Sequence, residues 1–185
     1  KNNVPKYTRK HFEYMDMDDS FRVYKRPYLD EFLDFIFDPA NNFNVSVFTA
    51  ASKDYALFII DNIVLSKNGK RVPKRKLDFI FFDYHVDISE KKKKHPKYLS
   101  LLWKFYKFPG YNEYNTFIID DNKKVHKRQK YNIIKAKYFD VEKEKTCKDD
   151  TFLHDIIDIL INLKEQYDEM LEKGIEDRIK VKKLK

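Results

Sequence analysis

The chain has 185 residues, of which 42% are apolar and 37% charged, and its formal net charge is +8. That length is enough for one domain with a real core, and no apolar run approaches the ~20 residues that span a bilayer. A lone cysteine, Cys147, rules out an internal disulfide and a cysteine-built zinc site, and three glycines, at 69, 110 and 174, cannot build a Gly-rich phosphate loop.

The opening stretch, "KNNVPKYTRKH", is polar and lacks the apolar core of a secretion signal. Residues 13–24, "EYMDMDDSFRVY", place Asp16 and Asp18 two apart with Ser20 two further on. That is the spacing of a phosphoryl-transfer pair, one carboxylate attacking phosphorus and the other shuttling a proton. The preceding "YTRKHFEYM" is too polar for a strand buried on both faces, and the pattern is set aside as an acidic turn.

Residues 27–37 carry Leu29, Phe32, Leu33, Ile36 and Phe37 on one helical stripe, and Pro27 suits the first helical position. "NVSVFTA" (44–50) reads as a buried strand. Ser52 then caps a helix with Tyr55, Ile59 and Ile63 on its inner face. "LDFIFF" (77–82) is a second buried strand, and residues 97–107 form a helix with Leu99, Leu102, Trp103 and Tyr106 inward. "NTFIID" (115–120) and the shorter "NIIKA" (132–136) are further strands. Residues 149–174 are the strongest helix, with Leu153, Ile156, Ile157, Leu160, Leu163, Tyr167 and Met170 at spacings of three and four and Gly174 to close it. Residues 175–185 read as a loose basic tail after a single domain at 1–174.

Apolar strands alternating with amphipathic helices predict an α/β fold, a mostly parallel sheet covered by helices on both faces. In such folds the chemistry sits at the carboxyl ends of strands. Thr49 ends one strand, Asp120 and Asp121 end another, and Lys97 opens a helix between them. A hydroxyl, an ammonium and two carboxylates on one rim suit a phosphate and a magnesium ion (Mg2+) held by Asp120 and Asp121. His11, His85, His95, His126 and His154 show no ligand spacing. The lysine clusters at 67–76, 91–95 and 123–130 read as solvated loops. The aromatics fall on core stripes instead of interleaving with the lysines, which argues against a nucleic-acid partner.

The segments "VYKRPYLDEFL" (23–33), "VSVFTAASKDYALFIIDNI" (45–63), "KYLSLLWKF" (97–105), "NTFIIDDN" (115–122) and "DDTFLHDIIDIL" (149–160) resemble, in order, the CTD phosphatases, the NLI-interacting-factor group of the haloacid dehalogenase superfamily. The likeness is nearest to its ubiquitin-like-domain-containing branch and to counterparts in large DNA viruses. It implies a Rossmann-like haloacid dehalogenase fold and a Mg2+-dependent phosphatase working through a phospho-aspartate. The implied substrates are phosphorylated proteins or peptides such as the RNA polymerase II C-terminal tail. Thr49 matches the second motif, Lys97 the third, and Asp120 with Asp121 the fourth, with catalytic roles for Thr49, Lys97 and Asp120 and Asp121 as the more direct metal ligand. By the same resemblance residues 11–27 form a flap hairpin, and Asp18 to Thr49 is too short to hold both hairpin and helix. The first motif is therefore expected on a strand outside these 185 residues. The implied setting is nuclear or cytoplasmic. The alternative is an inactive relative acting as a binding or structural partner in a transcription complex or a virion.

Overall fold

The computed structural model describes residues 4–18, 21–143, 147–177 and 179–181. Asp19 and Ser20 of the acidic stretch, and the end of the basic tail, lie outside them. The elements run α1 (Lys6–His11), β1 (Tyr14–Asp16), β2 (Arg22–Tyr24), α2 (Leu29–Ile36), β3 (Val47–Phe48), α3 (Lys53–Ile59) continuing into a π-turn (Ile60–Val64), β4 (Ser66–Lys67), β5 (Lys70–Arg71) and β6 (Ile80–Phe81). They continue α4 (Asp83–Lys93), α5 (Ser100–Lys104), β7 (Ile118–Asp120), α6 (Lys123–His126), β8 (Ile133–Lys135) and α7 (Phe152–Glu172). By their contacts they fall into two compact units.

The first unit draws on Lys1–Asn44, Leu57–Lys76 and Lys137–Ile157. Its β1 and β2 pair antiparallel, with Tyr14 opposite Tyr24 and Asp16 opposite Arg22. This is the expected hairpin. Arg22 grips Asp16 at 2.8 and 2.9 Å while its guanidinium lies 3.8 Å over the Tyr14 ring, and Asp18 Oδ1 accepts the Phe21 N–H at 2.8 Å. Asp16 and Asp18 are thus spent on shaping a turn. A second hairpin, β4–β5, was not anticipated. Its turn is Asn68-Gly69, both at positive φ, the pairing that matches the twist of two adjoining strands. Arg75, with a fully buried side chain, ties this hairpin down through the carbonyls of Val64 and Ser66 and through Asp34 at 2.9 Å.

The second unit draws on Val45–Ala56, Leu77–Ala136 and Asp158–Lys185. Two parallel pairs frame it, β3 with β6 and β7 with β8. Phe81, Leu99, Leu102, Ile118, Val125 and Ile133 form its core, with Phe48, Phe79 and Trp103 packed against them. Each such buried side chain contributes roughly 1.5–3 kcal/mol, so this cluster holds the strand ends in place. The α4 helix went unforeseen because its sequence has no apolar stripe. It is marked instead by charge, Asp83 in the first turn and Lys91–Lys93 in the last, which complements the helix dipole. Beyond α7 the tail is anchored as far as it is described. Ile179 is buried, and the Lys180 backbone exchanges hydrogen bonds with the Gln166 side chain.

The expected α/β mixture is present, but the continuous parallel sheet is not. Among the described residues the two parallel pairs are not hydrogen-bonded to each other. In β3, Val47 and Thr49 donate to Phe79 and Phe81, so strand alternation turns the Phe48 backbone away from β6. Likewise Ile118 and Asp120 bond to β8, and the Ile119 backbone faces away. Ile119, an apolar residue in mid-strand, remains 37% exposed. Among the described residues β3 and β7 thus each keep an outer edge, at Phe48 and Ile119, that pairs with no other strand.

Candidate active site

Thr49 is the first residue past β3. Its N–H donates to Phe81 O at 2.8 Å, and its Oγ1 accepts the Ala51 N–H at 3.1 Å. Accepting that bond fixes the hydroxyl oxygen and leaves its proton available to a ligand oxygen. Asp120 ends β7 and is 6% exposed. Lys97 Nζ donates to its Oδ2 at 2.7 Å, and the Asn122 N–H donates to its Oδ1 at 2.8 Å. Its carbonyl is held by the Ala136 N–H at 3.0 Å and lies 2.8 Å from His126 Nε2. Asp121 is exposed and has no hydrogen bond or ion pair among the described residues.

Lys97 reaches Asp120 from a loop that the chain would not adopt unaided. Lys94 and Lys97 both sit at positive φ, 55° and 49°, a costly region for residues with a Cβ. Two buried polar side chains hold the loop there. Ser89 Oγ donates to His95 O at 2.6 Å and accepts the Tyr98 N–H at 2.8 Å. Gln129 donates to Lys97 O at 3.0 Å and to Val125 O at 3.1 Å, and accepts the Leu99 N–H at 3.1 Å. Neither residue was anticipated. Ser89 lies in a polar helix with no motif around it, and Gln129 sits inside a lysine cluster that read as solvent.

The structure thus joins Lys97 to Asp120 directly. Thr49 makes no hydrogen bond to either, and Asp121 stands next to Asp120 with its carboxylate open. Among the described residues no group of three His, Cys, Asp or Glu side chains is placed to hold a metal. For magnesium that is a partial fit. The ion commonly takes one or two carboxylates and completes its shell with water and phosphate oxygens. Asp121 offers such a donor, whereas Asp120 in this arrangement is committed to Lys97.

Two parallel strand pairs, one followed by Thr49 and one ending at Asp120 with Lys97 donating to it from a loop, make this an α/β protein. The sequence profile of the NLI interacting factor-like phosphatases matches residues 2–171, and the chain belongs to that family. It is 42% identical over 132 residues to the CTD phosphatase-like protein 355R of Invertebrate iridescent virus 6, covering 70% of this chain and 69% of that protein. It is 35% identical over 146 residues to the protein of the same description from Invertebrate iridescent virus 3, covering 78% of this chain and 75% of the relative. The resemblance read from the sequence therefore names the right family, and its viral counterparts are among the similar proteins. Among the described residues no helix is long and apolar enough to cross a membrane.

Proposed function

We propose that this chain forms the phosphate-binding body of a Mg2+-dependent protein serine/threonine phosphatase. The observation that carries this reading is the Lys97–Asp120 ion pair at the carboxyl end of β7, with the open carboxylate of Asp121 beside it. Lys97 neutralises the charge of a bound phosphate, for which a dianion competes well against one carboxylate. Thr49 donates its hydroxyl proton to a phosphate oxygen. Asp121 would hold the magnesium ion, which when bound supplies Lewis-acid stabilisation of phosphate charge. Asp120 positions Lys97.

The attacking aspartate belongs, in this reading, to a strand outside these 185 residues. The unpaired edges at Phe48 and Ile119 support it, because two parallel pairs with open edges can each accept a further strand. The substrate class is a phosphorylated serine or threonine peptide, the RNA polymerase II tail being the first candidate. The test is hydrolysis of a phosphoserine peptide and of para-nitrophenyl phosphate by protein carrying the additional strand, with magnesium and after its chelation. Magnesium-dependent turnover that vanishes in Lys97→Ala supports the proposal, and turnover indifferent to Lys97 sinks it.

A second reading is a phosphopeptide-binding relative without turnover, for example in a transcription complex or a virion. It is favoured by Asp16 and Asp18, the one Asp-x-Asp pair ahead of β3 in the sequence, being tied into the β1–β2 hairpin. Phosphopeptide binding that persists with no phosphate release from the extended protein would establish it.

A further inference from the structure

Beside the Lys97 loop, the second unit carries a cleft of about 290 Å³ lined by Trp103, Lys104, Lys127, Arg128, Lys130 and Tyr131. Glu113 is the only carboxylate in its lining. Lys104, Lys127 and Arg128 are exposed and have no carboxylate partner among the described residues. Two lysine clusters far apart in sequence meet here, because Arg128 donates to Lys93 O at 3.2 Å and so joins 91–95 to 123–130. The cleft adjoins the candidate active site through Gln129. That side chain lines the cleft and at the same time holds the Lys97 carbonyl, and Tyr98, Leu99 and Ser100 lead from Lys97 into the cleft wall.

The free groups in the cleft recognise charge. The amide N–H groups of Gln129 and Asn132 are already spent, those of Gln129 on the carbonyls of Lys97 and Val125, and those of Asn132 on the carbonyls of Glu113 and Thr116. They have no donors left to read the edge of a base. The aromatic faces are poorly placed for stacking as well. Trp103 packs against the core, and the Lys130 ammonium sits 4.8 Å over the Tyr131 ring. What remains is a concentration of cations that one carboxylate would leave largely unneutralised and a phosphate dianion would match.

We propose that this cleft binds a second phosphorylated residue of the substrate, flanking the phosphoresidue held at Lys97. The preferred substrate is then a multiply phosphorylated segment. The inference rests on the phosphatase reading above and adds a specificity site to it.

Trp103 is the only tryptophan of the chain, so its emission reports on the cleft directly. The 185-residue chain is titrated with a peptide bearing one phosphoserine, with peptides bearing two a few residues apart, and with an oligothymidylate at the same ionic strength. A doubly phosphorylated peptide should change Trp103 emission saturably and bind at least about tenfold tighter than the singly phosphorylated one, since one charge-assisted contact is worth that much. K104E/K127E should remove this advantage while leaving single-phosphate binding unchanged. Both residues are exposed and unpaired, so the variant should melt like the parent. Equal affinities in parent and variant overturn the proposal, as does tighter binding of the oligothymidylate than of every doubly phosphorylated peptide. Lys97→Ala separates the two claims. If it leaves single-phosphate binding unchanged, the active-site reading fails, whereas the difference between one and two phosphates bears on the cleft alone.

Discussion

Lys97 and Asp120 form a 2.7 Å ion pair in which the lysine side chain is 15% exposed and the aspartate side chain 5%. They are 23 residues apart and come from a loop and a strand end, so the pair sets where the loop rests on the parallel pair β7–β8. It also holds the Lys97 ammonium at the carboxyl end of β7.

Removing one partner should cost more than removing both. Lys97→Ala strands a buried carboxylate, and a loss of roughly 2–4 kcal/mol in urea unfolding is expected. Adding Asp120→Asn in the same chain should recover part of it, because the neutral amide no longer demands a counter-charge. A double variant less stable than Lys97→Ala would show that the pair does not behave as a buried ion pair.

Asp121→Ala should behave in the opposite way. Its carboxylate is exposed and unpartnered, so the melting temperature should stay within the range typical of surface changes, about 0.5 kcal/mol in stability. In the turnover-competent protein, magnesium-dependent hydrolysis should fall by about a hundredfold or more. Unchanged magnesium dependence would remove Asp121 from the metal site.

Gln129→Ala should loosen the Lys97 loop. Three backbone groups lose their partner, of which buried ones left unsatisfied cost about 1–3 kcal/mol each. Gln129 acts through Lys97, so the phosphate-binding consequence should be a raised KM for phosphopeptide with a smaller change in kcat. Gln129→Glu should be at least as damaging as Gln129→Ala, because it sets a buried carboxylate against the Lys97 and Val125 carbonyls. A stability loss with unchanged KM would make Gln129 purely structural.

Stability should also decline in mild acid. Burial lowers the proton affinity of His95 below its ordinary value of 6.5; the backbone of Pro96 and Lys124 and the charge of Glu90 oppose this, and Arg128 reinforces it. Neither ring nitrogen reaches a partner at hydrogen-bond geometry. As pH falls through about 6.5 the unfolded chain takes up its proton first, so it binds more protons than the folded chain and stability drops. The decline ends below the lowered folded value. His85, desolvated against Phe81, adds to it in the same direction. The melting temperature should be lower at about pH 5.5 than at about pH 7.5, and His95→Phe should flatten part of that slope. An unaltered slope in the variant would assign the acid sensitivity elsewhere.

Local order alone was enough to place much of this protein. The stripe on α2, the apolar runs around β3, β6 and β7, the short β8 and the long α7 are written as periodicities of 3.6 and 2, which one segment expresses without help from others. Thr49, Asp120 and Asp121 could be singled out because strand ends are legible in the same pattern, Lys97 because it precedes a helix between them, and the order of the motifs carried the family. The tertiary structure decided what depends on partners distant in the chain. It took a buried Ser89 and Gln129 to hold Lys97 at positive φ, Arg128 to bring two lysine clusters together, and Asp120 to meet Lys97. It also decided that β3–β6 and β7–β8 stand as separate pairs, because strand pairing is made by backbone groups that every residue carries, and no single stretch of sequence records which partner those groups meet.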